Sequence, residues 1–183
     1  MDSLSQNRNN LHTIQEIEAF PEGTRAELID GEIYYMSAPS RLHQKILGRL
    51  FNMIQNHIDR SHGSCEVYAA PFAVYLSPGD DGQYYEPDIA VICDPGKLTD
   101  KGCAGAPDWI IEIASSSTER RDLGVKLFKY RSAGVREYWV VIPEKKIVTV
   151  FLFGQAPEGA IYSFDNDIPV HIYEGFSINL AGI

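Results

Sequence analysis

An α/β (α+β) fold, with a mixed β-sheet flanked by helices and an N-terminal β-hairpin, is what three features of the chain predict. Apolar residues recur at helical spacing from Leu42 to Ile58, which marks a long helix with one buried face. Short runs rich in Ile, Val, Tyr and Trp alternate with that helix and with a second one after residue 116, the pattern of strands interleaved with helices. Asp30-Gly31 sits between two strand-like runs, a strong hairpin signal.

Each element follows in order. Met1 to Asn10 is polar, and residues 1–12 are expected to form a disordered tail ahead of a single domain over 13–183. Thr13 can cap a short helix ending near Phe20, closed by Pro21 and Gly23. The hairpin runs from Arg25 to Ile29 and from Glu32 to Met36. Ser40 can cap the long helix, which reaches about His62. Strands are expected over Glu66–Ala70 and Phe72–Ser77, then a Gly- and Asp-rich loop over Pro78–Tyr84. Asp88 opens a strand to Cys93, and Asp94–Pro107 reads as a second loop. Trp109-Ile110-Ile111-Glu112-Ile113 is a buried strand. Ser116-Ser117-Thr118-Glu119 has the form of a capping box for a helix through Ser132, stopped by Gly134. Strands over Glu137–Ile142 and Lys146–Phe153 flank a turn at Pro143, and weaker strands at Ala160–Phe164 and Pro169–Tyr173 complete the chain.

Composition narrows the function classes. With 183 residues, 44% of them hydrophobic, the chain can bury one core. No apolar run reaches the ~18 residues of a membrane span, and the N-terminus holds no signal-type apolar core. Cys65, Cys93 and Cys103 show no CxxC spacing. They argue against a disulfide framework and a thiolate zinc site; Cys93 reads as a small core residue, and a reducing cytoplasm is expected. The net charge of −9 disfavours non-specific nucleic-acid binding. The residues between Glu119 and Glu137 form the only strongly basic stretch, with Arg120, Arg121, Lys126, Lys129, Arg131 and Arg136.

Two carboxylates stand out. Asp88 opens an otherwise apolar strand, and Glu112 interrupts one. A charge at such a place costs several kcal/mol unless a cation or hydrogen bonds compensate it. On neighbouring strands the two would suit Mg2+ or Mn2+, whose remaining coordination comes from water and substrate phosphate. The bland alternatives are a strand-end turn for Asp88 and an ion pair with a buried cation for Glu112. Asp122 and Lys126 lie at i and i+4, either as a surface salt bridge or with Lys126 reaching inward to a water or phosphate. Glu27 on the hairpin and His43 on the long helix could complete the site.

These residues give the chain a family resemblance. Glu27-Leu28-Ile29-Asp30-Gly31-Glu32-Ile33, Ser37-Ala38-Pro39 with His43, Glu86-Pro87-Asp88-Ile89, and Gly105-Ala106-Pro107-Asp108 with Glu112 carry it. So do Ser117-Thr118, Asp122, Lys126, Tyr130 and Gly134-Val135-Arg136-Glu137-Tyr138-Trp139. Over roughly residues 25–153 the sequence resembles the Uma-two family of putative restriction endonucleases, a bacterial branch of the PD-(D/E)XK nuclease superfamily. The resemblance implies a restriction-endonuclease-like core and Mg2+ (or Mn2+)-dependent hydrolysis of DNA phosphodiester bonds. Asp88, Glu112 and Lys126 would be catalytic, with Asp88 and Glu112 as metal ligands and Glu27, His43, Asp122 and Tyr130 accessory. The superfamily's usual lysine position, two residues past the acid, is Ala114 here, and Lys126 on the next helix takes its place. Ser116 replaces a common family proline at the turn.

The leading expectation is therefore an endonuclease acting on DNA, for which a homodimer would suit cutting both strands of a duplex. A nuclease-like binding or assembly module without catalysis is the alternative, and a hydrolase of small phosphorylated molecules is a third reading.

Overall fold

The computed structural model describes residues 11–77, 79, 82–154 and 158–183. Helix α1 (Ile14–Glu18) is followed by strands β1 (Ala26–Ile29) and β2 (Glu32–Tyr35), and then by the long helix α2 (Arg41–Ser61). Four short strands come next: β3 (Glu66–Ala69), β4 (Val74–Tyr75), β5 (Gln83–Tyr84) and β6 (Ile89–Ile92). Strands β7 (Leu98–Thr99), β8 (Gly102–Ala104) and β9 (Trp109–Ile113) lead into α3 (Glu119–Arg121), a π-helical turn at Asp122–Lys126, and α4 (Leu127–Ala133). Strands β10 (Glu137–Ile142), β11 (Ile147–Leu152), β12 (Ala160–Ser163), β13 (Ile168–Pro169) and β14 (Ser177–Ile178) end the chain.

The central sheet has six strands in the order β12-β11-β10-β9-β6-β3. Only β9 and β10 run parallel; the other pairs are antiparallel. Alternating side chains divide between two layers. On one face, Trp109, Ile111, Ile113, Trp139 and Val141 meet Ile46, Leu50, Ile54 and Ile58 of α2. On the other, Ala90, Ile92, Ile110, Tyr138 and Val140 meet Tyr130 and Val135. With both faces covered, β6, β9 and β10 are apolar in almost continuous runs and buried throughout. A charged residue inside them must answer to chemistry.

The hairpin forms as expected. Asp30 and Gly31 both adopt positive φ, 53° and 79°, which a two-residue hairpin turn matching the strand twist requires. Thr13 and Glu16 form a full capping box on α1, Ser40 caps α2 by accepting from the His43 N–H, and Gly134 ends α4 with φ of 95°.

Several expectations are corrected. The expected tail lies outside the described residues for positions 1–10, but residues 11–12 are held: the His12 N–H donates to the Gly31 carbonyl at 2.8 Å. The capping box at Ser116 does not form. Ser115 accepts from the Thr118 and Glu119 amides instead, and its own N–H donates to Thr118 Oγ1. Cys65 and Cys93 are joined in a disulfide. The β3–β6 register pairs Glu66 with Ile92, so the next residues out, 65 and 93, face each other, a relation no cysteine spacing announces. Cys103 is the free, buried cysteine, its thiol pushed up to about 11 mainly by burial. Within 94–107 the chain forms β7 and β8, and β5 lies at the end of the expected 78–84 loop. The final strand pair is β13 with β14, shifted from the expected Pro169–Tyr173.

Candidate active site

Strand register brings Asp88 to Glu112. In the antiparallel β6–β9 pair Ile89 opposes Ile111, so Asp88, one residue before β6, stands opposite Glu112. Directly opposed residues project from the same face of a sheet, here the face of Ala90 and Ile110. Asp88 is tightly fixed. Its Oδ2 accepts from the Ile113 N–H at 2.7 Å, its carbonyl accepts from the Ala70 N–H at 3.0 Å, and its Oδ1 lies 3.1 Å from His43 Nε2. His43 sits in the first turn of α2, immediately after the Ser40 cap.

Lys126 reaches the same place from the far side. Its Nζ lies 2.7 Å from Glu27 Oε1, 2.8 Å from Glu112 Oε1 and 3.8 Å from Asp122 Oδ1. The lysine is 2% exposed, so this is an interior cluster and not a surface salt bridge. A π-helical turn, rare in general and frequent at functional sites, carries both Asp122 and Lys126 inward. The Tyr138 hydroxyl donates to the Asp122 carbonyl at 3.0 Å. One turn on, the Tyr130 hydroxyl donates to Glu112 Oε1 at 2.8 Å. The ion pair with a buried cation that the sequence left open for Glu112 is therefore real, and it coexists with the Asp88 juxtaposition.

The electrostatics follow from burial and from an excess of acid. Glu112 is pushed up to about 8, first by burial, with Lys126 opposing and Asp122 and Glu27 adding to the rise. Asp122 is likewise raised by burial against the pull of Lys126. For Lys126 burial pulls downward, but the surrounding carboxylates outweigh it and hold the ammonium charged. Tyr130 rises well above its ordinary value, through burial and then the charge of Glu112. Three acids, Glu27, Glu112 and Asp122, thus surround one lysine, while Asp88, opposite Glu112, is paired with His43.

The donor set fits a divalent cation. Both hydrogen bonds to Glu112 fall on Oε1, which leaves Oε2 to a ligand. Glu27 Oε2 is buried with no hydrogen-bond partner, as is His43 Nδ1. Among the described residues no three His, Cys, Asp or Glu side chains already converge as a cation cage. A hard divalent cation can be held by as few as one or two carboxylates, with water and phosphate completing its shell. Asp88 and Glu112 are the pair so placed; Glu27 is held off by Lys126.

Glu86, Arg25 and Tyr84 belong to the surroundings of the site; Glu86 entered the sequence reading only as part of a motif, and none of the three was expected to be a site residue. The Glu86 N–H donates to Glu27 Oε1 at 3.2 Å. Its carboxylate accepts from Arg25 Nε at 2.9 Å and from the Tyr84 hydroxyl at 3.1 Å. The one available signal was its place directly before Pro87-Asp88. Two other acids, the buried Glu137 and the partly buried Asp108, are structural. Glu137 accepts from Trp139 Nε1 and from the His171 and Ile172 amides. Asp108 accepts from the Cys93 amide and from Arg136.

Residues 11–181 match the Uma2 family, described as "Putative restriction endonuclease". The chain belongs to the Uma2 family. An uncharacterised Synechocystis protein is 33% identical over 104 residues, 57% of this chain and 53% of the relative. A second uncharacterised Synechocystis protein is 24% identical over 123 residues, 66% of this chain and 67% of that protein. This Uma2 chain spans about half the length of the first of these relatives. Its fold is similar to the crystal structure of a putative nuclease belonging to DUF820 from Anabaena variabilis. The TM-score is 0.73 at 21% identity, covering 92% of this chain and 94% of that one.

Proposed function

We propose that this Uma2 protein is a Mg2+- or Mn2+-dependent endonuclease that hydrolyses DNA phosphodiester bonds, with residues 13–183 forming one restriction-endonuclease-like domain. The observation that carries the reading is the convergence of Asp88 and Glu112, opposed across neighbouring strands, with the buried Lys126 ammonium. A divalent cation on Asp88 and Glu112 would lower the pKa of a water and offset charge on the phosphate. The protein's own groups do the rest. The Ile113 amide and His43 hold the Asp88 carboxylate in one orientation. Tyr130 and Lys126 hold Glu112 by a single oxygen and leave the other without a hydrogen bond from either. Lys126 keeps a positive charge in a water-poor site, where it stabilises developing phosphate charge more than it would in bulk water. Action in the cytoplasm and a homodimer with two such sites belong to the same proposal.

A non-catalytic nuclease-like module has one observation in its favour: the Lys126 ammonium is already paired with both Glu27 and Glu112. Incubation of plasmid DNA with the protein and Mg2+ or Mn2+ separates the two. Cleavage by the wild type, absent in chelator and absent in Asp88→Ala and Glu112→Ala, is the expected result. Cleavage that survives both substitutions removes the assignment, and no cleavage of any DNA substrate favours the module.

A further inference from the structure

In the stretch between Glu119 and Glu137, Arg120 is exposed and forms no ion pair among the described residues, but the other cations are engaged. Lys129 pairs with Asp30, Arg136 with Asp108, and Lys126 is buried in the acid cluster. Arg121 lies over the Tyr34 ring and Arg131 over the Phe153 ring. Elsewhere Arg25 pairs with Glu86, Lys101 with Glu18 and Lys145 with Glu119. Helix α2 is different. Its positions 41 to 58 hold no Asp or Glu, and Arg41, Lys45 and Arg49 are exposed. Among the described residues none of these three forms an ion pair. They recur at i, i+4 and i+8, so they share one ridge, opposite the buried stripe of Ile46, Leu50, Ile54 and Ile58. Asn52 and Asn56, hydrogen-bonded to each other at 2.9 Å, are exposed further along the helix.

A row of unpaired cations on a protein of net charge −9 marks a surface for a polyanion. Its place is informative too. The ridge starts in the first turn of α2, the turn from which His43 reaches Asp88, and runs away from the site. The positive end of the helix dipole lies at the same end. From Arg41 to Arg49 is about 12 Å along the axis, a reach over which each of the three side chains can meet a different phosphate of one strand.

We propose that the outward ridge of α2, through Arg41, Lys45 and Arg49, carries the sugar-phosphate backbone of duplex DNA flanking the bond at the acid cluster. The inference rests on the endonuclease reading and adds the surface that holds the substrate. Contacts of this kind position the duplex without reading its bases. The ridge would set the direction in which the duplex crosses the site.

The test measures binding of a labelled duplex by fluorescence anisotropy over a range of NaCl concentrations, in chelator so that nothing is cut. The wild type is compared with the triple variant Arg41→Gln, Lys45→Gln, Arg49→Gln. A triple variant of the same charge change elsewhere, Lys101→Gln, Arg131→Gln, Lys146→Gln, is the control. Loss of three phosphate contacts lowers the slope of log K against log salt by about 2.7. The expected result is that drop for the α2 variant, with the control close to wild type. Wild-type binding by the α2 variant, equal losses in both variants, or no duplex binding by the wild type at low salt would each overturn the inference. Metal-dependent hydrolysis of a small phosphodiester, bis(p-nitrophenyl) phosphate, is measured in parallel because it needs no duplex surface. Its absence in wild type is a failure of the endonuclease reading. Its retention in an α2 variant that still binds DNA normally is a failure of this inference alone.

Discussion

Replacing Lys126 with methionine probes the interior of the site without touching a proposed metal ligand. Methionine keeps the length and apolar stem and removes the charge. In the wild type the ammonium stands 2.7, 2.8 and 3.8 Å from three carboxylates whose side chains are 0%, 6% and 3% exposed. Taking one partner from a buried ion pair costs about 3–5 kcal/mol, because the remaining charge is left desolvated. Up to three carboxylates lose their cation here, so the upper half of that range is expected at about pH 9, where Glu112 is ionised in the wild type, out of a total stability of about 5–15 kcal/mol. The pH dependence gives a second readout. Glu112 is raised by burial from 4.5 to about 8 and Asp122 is also raised, so the folded protein holds these protons more tightly than the unfolded chain. Their contribution to stability is fully present below the unfolded pKa and is lost as pH rises toward 8. Lys126 opposes both rises, and without it they go further. The deficit of Lys126→Met should therefore be larger at about pH 9 than at about pH 6. Urea unfolding followed by circular dichroism, without divalent ions, measures both. A loss under about 1 kcal/mol at the higher pH, or a deficit that grows on acidification, would refute the reasoning.

Two further outcomes are expected. Glu137→Gln should destabilise by about 1–3 kcal/mol while leaving any metal-dependent activity at wild-type level, because the new amide turns an N–H group toward a donor; chemical denaturation and the plasmid assay check the pair. Adding Mn2+ should raise the melting temperature of the wild type through preferential binding to the folded state, and Asp88→Asn or Glu112→Gln should remove that gain. An equal gain in the variants would place the ion elsewhere.

Much of this was legible in the chain because local signals agreed with the tertiary outcome. Asp30-Gly31 gave the hairpin, the Leu42–Ile58 stripe gave α2, and the unbroken apolar run around Glu112 exposed a carboxylate that packing could not explain. The site was partly legible for the same reason. Asp88, Glu112 and Lys126 do come together, and so do His43, Glu27, Asp122 and Tyr130. What stayed hidden depends on register and on pairing across distant segments. The Cys65–Cys93 disulfide follows from the alignment of β3 with β6, and the Glu86–Arg25 contact joins residues 61 positions apart. The basic stretch from 119 to 137 looked like the positive surface because its counter-ions, Asp30 and Asp108, lie elsewhere in sequence. Three cations without such partners are spread four apart along α2, where a residue count sees only an ordinary amphipathic helix.

The account stands most directly on where a divalent ion sits. Crystals of the protein grown with manganese and measured at a wavelength where manganese scatters anomalously would show it. The account predicts a peak bound by one carboxylate oxygen each of Asp88 and Glu112 at about 2.1–2.2 Å, with the Lys126 ammonium beside it. A peak anywhere else, or no peak with Lys126 still bridging Glu27 and Glu112, would contradict it.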